Sequence, residues 1–275
     1  VESLDTMYLM GMREEYIKAR EWVATKLDFS GGGHHYNSFF ETTIRILGGL
    51  LGAYALSKDE LYKAKAIDLG DRLMVAFGAD GNIFPVGEVD VGMERARHFS
   101  YQRSSYMVSE VGTCNMEFRY LSHITGNPKY AKKADDVMFA IMDLQGGLVS
   151  DYLGWSGGHI VDSKSSISIG GHGDSYYEYL IKSYLQTNQT EPRFLEEWRD
   201  SISELKESQT FTTNGGLTYI AKKRNGNIAH EWDHLGCFLP GSLELGAKHI
   251  DLKKSHQTVS QGTLDQWHDL AGDLG

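Results

Sequence analysis

Apolar residues recur every three or four positions along most of this chain, in stretches separated by glycine-rich turns. Ile44, Leu47, Leu51 and Tyr54 line up in "ETTIRILGGLLGAYAL", Val111, Cys114, Phe118 and Leu121 in "EVGTCNMEFRYLSHI", and Tyr177, Leu180, Ile181 and Tyr184 in "DSYYEYLIKSYL". That spacing predicts amphipathic helices. With 4 prolines against 31 glycines, the pattern favours long helices joined in pairs by glycine turns.

A repeat is superimposed on the helices. "REEYIKAREWV", "DELYKAKAIDL", "NPKYAKKADDV" and "EPRFLEEWRDS" each open an amphipathic helix with an aromatic, at Tyr16, Tyr62, Tyr130 and Phe194. Each follows another helix whose opening residues carry an acid: Asp5, Glu41, Glu110 and Asp174. The acid precedes the aromatic by 11, 21, 20 and 20 residues, so three of the four acids hold the same place in their repeat. A fifth opening helix, "EWDHLGCFLPGSLELGAKH", brings Asp233 and His234. Repeated helical hairpins stack as an open solenoid or close into a toroid. The glycine-rich loops ahead of the acids favour closure, because a concave mouth lined with carboxylates suits a small molecule. The expected fold is therefore all-α, an α/α toroid.

"SISIGGHGDSYYEYLIK" (166–182) sets Gly170, Gly171 and Gly173 ahead of Asp174, with Glu178 one turn further on. Taken alone, this is a helix N-terminus with an acid facing the backbone dipole and glycines freeing the entry turn. Within the repeat it belongs to a ring of acids. Carboxylates sharing one pocket raise one another's proton affinity and invite a cation. Glycoside hydrolysis uses such a set, one carboxyl held protonated and another, roughly 6.5–9.5 Å away in an inverting enzyme, activating water. Tyr176, Tyr177 and Phe40 suit the floor of a sugar site or, at helical spacing, the core.

Composition narrows the field. The 275 residues carry a formal net charge of −10, which argues against a nucleic-acid partner. No run of about 18 apolar residues offers a membrane span. The start at "VESLDTMY" has neither an initiator Met nor a signal peptide, so an internal segment is expected. Asn188-Gln189-Thr190 has the pattern of an N-glycosylation acceptor. Cys114 and Cys237 are too few for a disulfide framework. A zinc site on His234 and Cys237 lacks further ligands, and "DDVMF" after Asp135 and Asp136 lacks the third acid of a terpene-cyclase metal motif.

The segments "ESLDTMYLMGM", "FFETTIRILGGLLGAYALS", "SEVGTCNMEFRYLSHITGN", "GDSYYEYLIK" and "DHLGCFLPGSLELGA" together resemble the class I α-1,2-mannosidases, glycoside hydrolase family 47. They stand in the family's order and span nearly the whole chain. The resemblance implies an α/α barrel of seven helical hairpins, here one domain over 1–275 truncated at both ends and so incomplete. It implies inverting removal of α-1,2-linked mannose from high-mannose N-glycans on glycoproteins, calcium as cofactor, and a place in the endoplasmic reticulum or Golgi lumen, with any membrane anchor of the parent outside this segment. Carried over by motif, Glu41 is the general acid and Asp174 a catalytic carboxylate in or beside the proton path. Glu110 and Glu178 hold substrate and the waters around the metal, with no direct metal ligand in this chain. Asp5 and Arg45 shape the mannose pocket, flanked by Asp233 and His234. His172 stands where endoplasmic-reticulum-type enzymes have Arg and Golgi-type enzymes Leu. The family's "RPETVES" motif with the proposed base, its "ESFF" motif and its calcium-ligating "NTEAHP" threonine are not in the sequence, nor is the cysteine that pairs with the equivalent of Cys237. The rival from another class is a mannosidase-like factor that binds mannose-rich glycans for degradation with little hydrolysis.

Overall fold

Helices form where the apolar spacing predicts them. The computed structural model describes residues 1–31, 35–99, 105–144, 146–255 and 257–275. Among these lie α1 (Leu4–Leu9), α2 (Arg13–Thr25), α3 (Phe39–Glu41), α4 (Gly48–Ser57), α5 (Glu60–Leu73), α6 (Val108–Val111), α7 (Asn115–Thr125), α8 (Lys129–Met142), α9 (Asp174–Gln186), α10 (Pro192–Ser208), α11 (Leu239–His249) and α12 (Gln261–Leu274). No helix of the described residues is long and apolar enough to cross a membrane. The chain divides into two compact units, Val1–Arg103 with Glu117–Val137, and Ser104–Met116 with Met138–Gly275.

In the first unit, α3 runs into α4 through a π-helical turn, Thr42–Leu47. The Ser38 hydroxyl starts this stretch by accepting from the Glu41 amide at 3.1 Å, satisfying a donor that the first turn leaves open. α4 packs on α5, whose cap Asp59 accepts from Leu61 N at 3.0 Å. Leu47, Leu50 and Leu51 meet Tyr62, Ala66, Leu69 and Leu73 in a core closed to water. Phe39, Phe77 and Phe118 stack around it, with ring centroids 5.4 and 5.5 Å from Phe77. A short antiparallel sheet of Asn37–Ser38, Glu88–Asp90 and Arg95–Arg97 borders the start of α3.

In the second unit, α9 and α10 form a hairpin, and α11 packs on both α9 and α12. Tyr177, Leu180, Ile181 and Tyr184 of α9 and Phe194, Leu195, Trp198 and Ile202 of α10 are all buried. Trp198 meets Trp267 of α12 edge-on, with centroids 6.0 Å apart. Ser260 and Thr263 make a reciprocal capping box at the start of α12. Three small antiparallel sheets join the helices: Ser105–Met107 with Tyr152–Ser156 and His159–Val161, Thr210–Thr212 with Thr218–Ile220, and Lys222–Arg224 with Asn227–Ala229.

The repeated aromatic is a packing device. Tyr62, Tyr130 and Phe194 sit in the first turns of α5, α8 and α10 with almost no exposure, while Tyr16 in α2 is half-buried. "EVGTCNMEFRYLSHI" departs from expectation. It is not one helix, because α6 ends at Val111 and α7 begins at Asn115. Tyr176 comes so near that a Cβ on Gly112 would lie 2.7 Å from its ring, and Asn115 Nδ2 turns aside to donate to Ser183 Oγ at 2.8 Å. Cys114 still faces the core.

Glu197, buried on α10, accepts from the Tyr176 hydroxyl at 3.3 Å. Burial pushes its carboxyl up to about 8, against an ordinary 4.5. Between those values the native state keeps a proton that the unfolded chain has released. This group's contribution to stability is therefore full at low pH and declines as pH rises toward 8. Glu197→Gln, which stays neutral, should unfold at a higher temperature than the parent at pH 8, by the equivalent of a few kcal/mol. The difference should shrink to little at pH 5 in calorimetry.

Candidate active site

Asp5, Glu41 and Arg45 lie in the first unit. Asp5 lies in the first turn of α1, its Oδ1 accepting from the Thr6 amide at 2.7 Å. α1 reaches α4 where α4 has glycine: a Cβ on Gly49 would lie 3.1 Å from Glu2 Cα, and one on Gly52 would lie 3.5 Å from Asp5 Oδ2. Glu2 is thereby carried to Arg45, whose Nη1 donates to Glu2 Oε1 at 2.7 Å while its Nε donates to Glu41 Oε2. The π-helical turn holds Arg45 one turn beyond Glu41. Glu2, Glu41 and Arg45 have side chains 58, 47 and 48% exposed, so the trio is screened by water and contributes little to stability. The second Glu41 oxygen makes no hydrogen bond to a described residue.

Glu110, His172, Asp174, Glu178, Asp233 and His234 lie in the second unit. Asp174 is the first residue of α9, its amide donating to Gly170 O at 2.9 Å. Gly173, the residue before it, has φ −118°, so the turn needs glycine for space rather than for torsion. A Cβ there would overlap the Ser168 carbonyl oxygen, and one on Gly170 would overlap the side chain of Asp233. His172 has φ 95°, a backbone that costs a non-glycine residue about 1 kcal/mol or more. Its carbonyl is held by the Ser109 amide at 2.9 Å, and its ring stands over Tyr152, with centroids 5.3 Å apart.

The Asp174 carboxylate accepts from its neighbour Ser175 N at 2.8 Å. Ser175 Oγ in turn takes the Thr113 hydroxyl at 2.9 Å. Burial, with Glu178 and Asp233 adding negative charge, raises the proton affinity of Asp174 above that of an ordinary aspartate. Asp233 goes the other way. It caps the 3₁₀ turn His234–Phe238 by accepting from Leu235 N at 2.9 Å, and Lys222 Nζ approaches it at 3.1 Å. Both lower its pKa, the backbone bond first. Glu178 is closed onto Lys182 one turn along α9, Glu110 is half-buried in the first turn of α6, and His234 points outward, its side chain 88% exposed. Tyr176 and Tyr177 are wholly buried and so belong to the core.

Three residues at these sites escaped sequence reasoning. Lys222 sits on no motif, and Glu2 opens "ESLDTMYLMGM" without being singled out there; both are found through the partners they pair with. Asp151 in "LVSDYLGW" belongs to no motif, yet it is a buried carboxylate beneath the Gly170–Gly173 turn. Among the described residues no three His, Cys, Asp or Glu side chains gather as metal ligands.

A family model described as glycosyl hydrolase family 47 matches residues 1–273. The endoplasmic reticulum mannosyl-oligosaccharide 1,2-α-mannosidase of Schizosaccharomyces pombe is 40% identical over 278 residues, covering 97% of this chain and 52% of that protein. The Rattus norvegicus enzyme of the same name is 35% identical over 274 residues, covering 98% and 41%. The chain thus spans about half or less of the length of these curated relatives. The solved structure of an α-1,2-mannosidase from Trichoderma reesei superposes with a TM-score of 0.83 at 26% identity, covering 99% of this chain and 57% of that one.

Asp174 and Asp233 should titrate on opposite sides of the ordinary aspartate value of 3.8. Carboxyl carbon shifts followed by NMR against pH should show Asp174 protonating first on acidification, and Lys222→Met should move the Asp233 midpoint upward. Gly173→Ala should lose on the order of 1–3 kcal/mol in denaturant unfolding, since the added methyl meets backbone that cannot rotate away. Gly272→Ala, where a Cβ meets nothing within 4 Å, should not.

Proposed function

Because the chain belongs to glycosyl hydrolase family 47, we propose that it forms part of an inverting exo-α-1,2-mannosidase that trims mannose from high-mannose N-glycans of glycoproteins. The observation that carries this function is Asp174, a carboxylate set by a glycine turn into a half-buried place beside Glu178 and Asp233, where it binds a proton more firmly than usual. Environments that separate the proton affinities of neighbouring carboxylates are what acid–base hydrolysis of a glycoside requires.

In this proposal Glu41 protonates the departing glycosidic oxygen through the oxygen that Arg45 leaves open. Arg45 fixes the carboxyl plane, and Asp5 bounds the mannose pocket. Asp174 lies in or beside the proton path, and Glu110 and Glu178 hold sugar hydroxyls and water, Glu178 after exchanging Lys182 for substrate. Lys222 keeps Asp233 ionised as a hydrogen-bond acceptor for sugar, and His234 flanks it from solvent. His172, over Tyr152, meets the sugar beyond the cleaved one and tunes which branch is trimmed. Calcium enters this proposal only through waters on Glu110 and Glu178, with its direct ligands outside the described residues. The relatives' names support an endoplasmic reticulum location.

The test is release of mannose from a defined high-mannose glycan, by the chain and by a longer form carrying the downstream motifs. The longer form should turn over, and Glu41→Gln in it should lower kcat by about 10²- to 10⁴-fold with little change in KM, because an amide keeps the contacts but has no proton to give. Loss confined to KM would make Glu41 a binding residue. Glycan binding without release would assign the protein to glycan recognition, and release by the 275-residue chain alone would place the water-activating base within it, Asp174 first.

A further inference from the structure

Three segments of the second unit meet beneath the Asp174 turn, and one side chain ties them together. Asp151 lies at the start of the strand Tyr152–Ser156 and is 6% exposed. Its Oδ1 accepts from the Ser168 amide at 2.7 Å and its Oδ2 from the Ser166 hydroxyl at 2.8 Å. Its own amide donates to Ser166 O at 2.8 Å, and its carbonyl accepts from Val108 N at 3.0 Å. Every hydrogen-bonding group of the residue is thus spent on two other segments, 166–168 and the start of α6.

Those two segments carry the candidate site. Ser168 Oγ accepts from the Gly170 amide at 2.9 Å, and the Ser168 carbonyl fills the space that a Cβ on Gly173 would need. Gly170 O then receives both Gly173 N at 3.1 Å and Asp174 N at 2.9 Å. On the other side, Val108 opens α6, which bears Glu110, and the next residue, Ser109, donates its amide to His172 O. Tyr152, adjacent to Asp151 in the chain, carries the ring that stands under His172. A buried carboxylate that accepts a backbone amide and a hydroxyl is costly to bury and strongly directional once paired. Nothing in the acid–base chemistry proposed above uses it.

We propose that Asp151 is the positioning residue of this site, holding Glu110, His172 and Asp174 in one frame by fixing Ser166–Ser168 against the glycine turn and against α6. Its bearing on catalysis rests on the mannosidase function proposed above; its bearing on the frame does not. Removal of the carboxylate frees Ser168, and the Gly170–Asp174 turn loses its floor while the hairpin of α9 and α10 keeps its apolar packing. The site should then loosen without the core.

Hydrogen exchange of individual amides in Asp151→Ala, Asp151→Asn and Ser166→Ala tests this on the chain itself, with no substrate needed. In Asp151→Ala the amides of Ser109, Gly173 and Asp174 should exchange at least about tenfold faster while those of Ile202 and Leu205 in α10 keep their parental rates, the signature of local rather than global opening. Asp151→Asn retains an acceptor for Ser168 N and should restore most of the protection. Ser166→Ala removes a single hydrogen bond, so it should give a smaller increase at the same amides and serves if the alanine variant does not fold. In a form that releases mannose, Asp151→Ala should lower kcat more than it raises KM, with recovery in Asp151→Asn. Parental exchange at Ser109 and Asp174, or acceleration spread equally over α10, would overturn the proposal. A parent that binds glycan without turnover would overturn the mannosidase function and leave the exchange result standing.

Discussion

The contact on which the candidate site depends is the approach of the Ser168 carbonyl to the Gly173 backbone, a separation that admits no side chain. With that space closed, the turn from Gly170 to Asp174 has one course, and α9 must begin where it ends. Gly170 meets Asp233 with the same economy, and Gly112 meets the ring of Tyr176. Glycine serves here as the residue that lets two chain segments touch, since the backbone at Gly173 is one any residue adopts. The consequence is electrostatic. A carboxylate at the head of a helix is ordinarily wet, but Asp174 is drawn down beside its own helix's buried tyrosines and loses part of its water.

Desolvation sorts the acids of this protein into two kinds. Glu41, Glu2 and Arg45 form a linked set in which every member keeps about half its exposure. Such pairs are held by a few tenths of a kcal/mol to about 1 kcal/mol and exchange partners easily. Asp151, Asp174 and Glu197 are buried further, and for each of them the leading effect is that burial disfavours the charged form. They differ in compensation. Asp151 receives a backbone amide and a hydroxyl from Ser168 and Ser166, Asp174 only its own neighbour Ser175, and Glu197 a single tyrosine hydroxyl. Compensation is thus fullest at Asp151 and thinner at Asp174 and Glu197.

The helices and their pairing were legible from residue order because helical period is local. Leu47, Leu51, Leu180 and Ile181 are buried as their spacing requires. The repeated aromatic was legible for the same reason, since a large ring recurs at the base of each second helix, at Tyr16, Tyr62, Tyr130 and Phe194. So was the placement of Asp5, Glu41, Glu110 and Asp174 in the first turns of α1, α3, α6 and α9. Five motifs in order were enough to point to the family.

What only the tertiary structure decided lies in contacts between residues far apart in the chain. The break after Val111 depends on Tyr176 and Ser183, more than 60 residues away, and no pattern within the segment announces it. The glycines before Asp174 look like freedom for a turn, and folding uses them as room for Ser168 and Asp233. Lys222 lies in a short strand and Asp151 just ahead of one, and their place in the chain says nothing of their partners, because such segments bond to another segment, unlike a helix. Periodicity encodes which face of an element is buried. Which charge meets which, and how dry it becomes, depends on distances that exist only after the chain has closed on itself.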